Sequence, residues 1–112
     1  MTLVEFFYNE NDKIEKVTAK GHSNYSVEGE DIVCASVSTL LQTALLGLIK
    51  VVGLDIDYEI EDGFLTFDIP RDLSYEDDLK VEVIIQTLKE GILDIESGYK
   101  KFVKMEEKYN VY

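Results

Sequence analysis

The chain has one cysteine, one histidine, one proline and no tryptophan among its 112 residues. A single cysteine excludes an internal disulfide. One cysteine and one histidine also fall short of the usual four zinc ligands, even with Glu30 and Asp31 close by, so no metal is expected. No phosphate-binding glycine loop and no GxSxG motif is present, and no cofactor is expected. Scarce proline and a 46% apolar content argue against wholesale disorder. No secretory leader is read at the N-terminus, so a cytoplasmic, reduced chain is expected. Asn24-Tyr25-Ser26 matches the glycosylation sequon, which has no meaning without secretion.

Basic residues are also few. Eleven lysines and arginines face 23 acidic residues, a formal net charge of −12. A field of that sign disfavours nucleic acid and anionic membrane surfaces. It suits a basic partner, such as a ribosomal protein or a cationic peptide, and is equally what a soluble acidic surface looks like. Residues 32–49 carry no charge and approach the length of a bilayer span. They include Ser36, Ser38, Thr39, Gln42, Thr43 and Gly47 and follow an acidic loop, so they read as a buried core helix, with no membrane contact expected.

What is present is a regular alternation of elements, and the length suits one domain, 1–112, with its own core. Residues 1–8, MTLVEFFY, read as a strand, 9–12 as a turn, and 14–20, IEKVTAK, as a second and more exposed hairpin arm ended by Gly21. Residues 23–31 form a polar loop with Gly29 as a hinge or an ordinary turn residue. A helix is predicted over 32–52 with Asp31 as N-cap and Gly53 as stop. Its polar and small residues make one narrow face, so its apolar arc needs cover on more than one side; a homodimer is expected. Residues 55–61, DIDYEIE, alternate with Ile56, Tyr58 and Ile60 on one face; Asp62-Gly63 is a hairpin signal and 64–69 the returning strand. Ser74 caps a second helix over 75–97, interrupted by Gly91, and 102–105 read as a last short strand. The order ββαββαβ predicts an α+β, two-layer domain, a mostly antiparallel sheet with two helices packed on one face.

The only thiol and the only imidazole flank the polar loop. Cys34 is expected near the third position of the first helix, where free backbone N–H groups and the helix dipole favour a thiolate and can receive an oxyanion. His22 can reach it as general base if the loop folds back. Asp31 either caps the helix or orients His22, and a carboxylate beside the thiol opposes its ionisation. Ser38, one turn on, can donate a hydrogen bond to the thiol or to a substrate. A lone helical cysteine also reads as a small buried hydrophobe, and a lone histidine as a loop residue.

The stretch GHSNYSVEGEDIVCASVSTLLQTALLGL resembles the signature of the ribosomal-processing cysteine proteases, the Prp family. The shared features are Gly21-His22, Gly29, Asp31-Ile32-Val33-Cys34-Ala35, Ser38 and the His22-to-Cys34 spacing. Ser23 and Ser36 stand where that family usually or often has alanine. The resemblance implies a dimeric cytoplasmic endopeptidase that removes the N-terminal extension of a large-subunit ribosomal protein, cutting after Phe in an apolar-aromatic motif. It implies Cys34 as nucleophile, His22 as general base, Asp31 and Ser38 as supporting residues, and a loop with Gly21, Ser23 and Gly29 covering the peptide. Two other readings stay open: a noncatalytic acidic binding module or ribosome-assembly factor for a basic partner, and a thiol-redox sensor. The second lacks a resolving cysteine within the chain.

Overall fold

The computed structural model describes residues 1–21 and 30–109, the side chains of residues 30 and 31 excepted. The elements follow the expected order: β1 (Thr2–Tyr8), β2 (Ile14–Lys20), α1 (Glu30–Leu46), a π-helical turn (Gly47–Val52) that continues α1, β3 (Tyr58–Glu61), β4 (Phe64–Asp68), α2 (Tyr75–Gly98) and β5 (Val103–Lys108). The five strands form one sheet in the order β3-β4-β2-β1-β5. All pairs are antiparallel except β1 with β5, which run parallel from Thr2 against Val103. The parallel pair follows from α2, a 24-residue crossover that carries the chain across the sheet before it re-enters in the direction of β1. This is the two-layer α+β architecture that the pattern of apolar residues predicts.

Strand parity decides what is buried. Val4, Phe6 and Tyr8 of β1 sit opposite Ala19, Val17 and Ile14 of β2, all on the helix-facing side and all buried. Leu65 and Phe67 of β4 extend the same surface. From the helices, Val33, Val37, Leu41 and Leu48 meet Val81, Ile85, Leu88 and Ile92 over it. β2 is slightly the more exposed arm, as expected: four of its seven residues are buried against five of seven in β1, and Lys20 is exposed. The strand lies between β1 and β4, and Val17, Thr18 and Ala19 are all buried.

Two expectations are corrected. The run 55–61 is not one strand: only Tyr58–Glu61 is extended pairing, and β3 is the edge strand. Ile56 is buried in the core, but Tyr58 and Ile60 are 56% and 45% exposed, because the packed layer stops short of the edge. The predicted first helix starts earlier, at Glu30, so Asp31 is its second residue rather than the cap before it. Its end is as expected: Gly53 adopts φ 87° and its N–H donates to the Leu48 carbonyl. Ser74 likewise caps α2, its hydroxyl accepting from the Asp77 N–H at 3.1 Å.

The run Ile32–Val52 has a mean hydropathy of 2.0 and is long and apolar enough to cross a membrane. Six of its residues, Val33, Val37, Leu41, Ala44, Leu45 and Leu48, instead form part of the protein core. Its other side is uncovered, with Ile32, Leu46 and Val51 exposed.

Candidate active site

Cys34 is the fifth residue of α1. Its own N–H therefore falls opposite the Glu30 carbonyl, four residues back, and the free N–H groups of the first turn lie N-terminal to it. The sequence placed the thiol nearer the helix start than it is. The dipole effect fades within the first turn, so part of the electrostatic support expected there is reduced.

The thiol is half-buried, free, and turned toward the sheet. Its sulfur lies 3.2 Å from Thr2 Oγ1, a separation at which either group can donate. Thr2 was not singled out from the sequence. The signal was there: it is the one polar residue on the helix-facing parity of β1, the others being Val4, Phe6 and Tyr8. Thr2 is 6% exposed and its N–H donates to the Phe102 carbonyl at 2.7 Å, which fixes the start of β1 against the chain leading into β5.

A cleft of about 330 Å³ opens beside the thiol. Cys34, Ser38 and Gln42 line it from α1, Gly21 from the end of β2, and Ile60 and Phe64 from the β3–β4 hairpin. The cleft exists because α1 covers β1 and β2 while the β3–β4 hairpin projects past it. Its walls are mainly hydrocarbon, with Glu61 and Asp62 at the hairpin end. An apolar slot with an acidic rim beside a thiol can bury apolar groups of a ligand next to the sulfur.

Gly21 is held in this cleft by geometry. Its φ is 123°, and a Cβ built there would lie 2.0 Å from the Met1 carbonyl oxygen. Only glycine permits the chain to pass so close to β1 before turning. Its N–H donates to the Gly63 carbonyl at 3.2 Å, tying the end of β2 to the hairpin turn. The next residue is His22. His22, Ser23 and Gly29 lie outside the described residues, as does the side chain of Asp31.

Ser38 lines the cleft one turn after Cys34, but its hydroxyl accepts from Gln42 Nε2 at 2.8 Å rather than contacting the thiol. Gln42 thus joins the site as a second residue that sequence reasoning missed; its spacing of four from Ser38 was the available signal. Ser36 donates to the Ile32 carbonyl at 2.9 Å and is exposed. Its hydroxyl is therefore spent on the helix backbone, and the serine adds no reactive group to the cleft. Among the described residues no group of three His, Cys, Asp or Glu side chains is placed to hold a metal ion.

Residues 1–104 match the sequence profile of the family described as cysteine protease Prp. The chain belongs to that family. It is a cysteine protease, and the resemblance carried by Gly21-His22 and Asp31 to Ala35 extends over nearly its whole length. The ribosomal processing cysteine protease Prp of Bacillus subtilis (strain 168) is 29% identical over 82 residues, covering 71% of this chain and 73% of that protein. The protein of the same name from Staphylococcus aureus (strain Mu50) is 27% identical over 108 residues, covering 96% of this chain and all of its own.

Solved structures agree on the fold. The S. aureus Prp crystallised with a substrate peptide superimposes with a TM-score of 0.83 at 23% identity, over 96% of this chain and 100% of that one. A Streptococcus mutans protein superimposes with a TM-score of 0.84 at 24% identity, over 98% and 96% of the two chains. At these identities the likeness speaks for the architecture alone.

Proposed function

We propose that this Prp-family protease removes the N-terminal extension of a large-subunit ribosomal protein, cutting after Phe within an apolar-aromatic motif. The observation that carries the reading is the half-buried Cys34 thiol at the wall of an apolar cleft. The names of the B. subtilis and S. aureus relatives, both ribosomal processing proteases, support the substrate class. The net charge of −12 and the acidic rim formed by Glu61 and Asp62 suit a basic ribosomal partner.

In this reading Cys34 is the nucleophile and His22 the general base. The imidazole takes the thiol proton, and the sulfur forms a bond to the scissile carbonyl carbon. The C–N bond then breaks, the leaving amine taking the proton back from His22. Water, deprotonated by His22, attacks the thioester; the S–C bond breaks and the thiolate returns. First-turn N–H groups of α1 receive the oxyanion. Asp31, the second residue of α1, is a supporting residue that orients His22 in this reading. Ser38, which lines the cleft and accepts from Gln42, is the other supporting residue in this reading. Gly21, Ser23 and Gly29 are carried over from the family resemblance as the substrate loop.

The whole chain, 1–112, acts as one domain, as a homodimer in the cytoplasm. The dimer reading rests on α1 and the π-helical turn that continues it, where Ile32, Leu46 and Val51 stay 71%, 51% and 83% exposed in the single chain. Incubation with peptides spanning the ribosomal extension, followed by mass spectrometry, tests the activity. A single cut after Phe, absent in Cys34→Ala, is expected; full activity in Cys34→Ala overturns the assignment.

A further inference from the structure

We infer that the Thr2 hydroxyl is a positioning group for the nucleophile, donating a hydrogen bond that holds the Cys34 sulfur in its reactive form and direction. The inference rests on Cys34 being the nucleophile and adds a residue that the motif from Gly21 to Ser38 does not contain.

Three observations converge. The oxygen–sulfur separation is 3.2 Å, and Thr2 Oγ1 has no other partner among the described residues. Thr2 stands on a strand face otherwise reserved for Val4, Phe6 and Tyr8. At 6% exposure, its hydroxyl would lack compensation for lost water contacts without the sulfur. Finally, Cys34 lies just past the free N–H groups of the helix start, which leaves room for another donor to act.

The chemistry fixes the direction of the bond. A thiol and a hydroxyl can each donate to the other. A thiolate has no hydrogen, so on ionisation only Thr2 can donate, and the bond becomes charge-assisted. A hydrogen bond made to the charged form favours that form. The strand anchors the donor: the Thr2 N–H is bonded to Phe102, and its β-branched side chain has few χ1 choices. The hydroxyl keeps its own proton throughout; it neither takes the thiol proton nor enters a covalent bond.

Alkylation of the purified protein by iodoacetamide, followed across pH, isolates this relationship from peptide cleavage. Thr2→Val replaces the hydroxyl with a methyl of similar shape. Its alkylation profile is expected to move to higher pH, with a rate near neutrality about tenfold lower and convergence with wild type at high pH. Thr2→Ser keeps the donor and is expected to restore the wild-type profile, which a purely packing role for the threonine methyl would not produce. If Thr2→Val does not fold, Thr2→Ala is compared with Thr2→Ser in the same assay. Superimposable profiles for the folded hydroxyl-free variant and wild type overturn the proposal, and so does failure of folded Thr2→Ser to restore. Loss of the protease reading would show separately, as peptide cleavage that survives in Cys34→Ala.

Discussion

The Gly21 α-carbon sits so close to the Met1 carbonyl that a Cβ there would lie 2.0 Å from the oxygen. That contact fixes where β2 releases the chain toward His22. Because the obstacle is the backbone just before β1, no side-chain rotation relieves it. Gly21→Ala is expected to cost about 2 kcal/mol or more, adding the clash to the penalty of a positive φ. Thermal unfolding by circular dichroism checks this: a melting temperature unchanged from wild type contradicts the close approach.

The C-terminal strand is held by a second cluster. Lys89 Nζ donates to Tyr8 Oη at 3.0 Å and pairs with Glu107, and Tyr109 donates to Glu107 at 2.9 Å while its ring stacks on Tyr8. The hydrogen bond from Lys89 holds the Glu107 carboxyl below its usual 4.5, against the opposing effect of burial. The same network pushes the Tyr109 phenol up to about 12, first through its bond to Glu107. A depressed carboxyl contributes stability that is present above the usual value and lost as pH falls through the folded one. Glu107→Gln is therefore expected to lower the melting temperature near neutral pH, with the gap to wild type closing below pH 4.5. A gap that stays constant into acid would show that Glu107 does not act as a charged partner.

The helical layer leaves apolar side chains uncovered. Leu46 on α1 and Val83 on α2 are 51% and 67% exposed, on elements whose opposite sides form the core. In the homodimer reading, Leu46→Glu or Val83→Glu introduces a charge into an apolar contact and shifts the population to monomer by more than tenfold in the dissociation constant. Light scattering over a concentration series measures it. A wild-type protein that is monomeric at every concentration tested rules the reading out.

Much of this architecture is legible in the residues. Asp62-Gly63 and Ser74 announced a turn and a cap, and both are where the pattern put them. The Gly-His and Asp-Ile-Val-Cys-Ala pattern identified the family before any geometry. What was not legible depended on neighbours distant in sequence. Thr2 and Cys34 are 32 positions apart and meet only because β1 lies beneath α1. The alternation of Ile56, Tyr58 and Ile60 promised a covered face, yet coverage depends on strand order, and β3 fell at the edge. Gly91 read as a tolerated helix flaw; in the fold a Cβ there would meet Leu40 Cδ1 at 3.1 Å, so the small residue serves the contact between α1 and α2.

In the proposed reading, Cys34 cleaves peptide bonds in the cleft between α1 and the β3–β4 hairpin. Mass spectrometry of a peptide spanning the ribosomal extension, incubated with wild type and with Cys34→Ala, tests it directly. The expected result is one cut after Phe by the wild type and at least about a thousandfold less product from the folded variant, since the covalent route is gone. Equal product from both proteins would contradict the account.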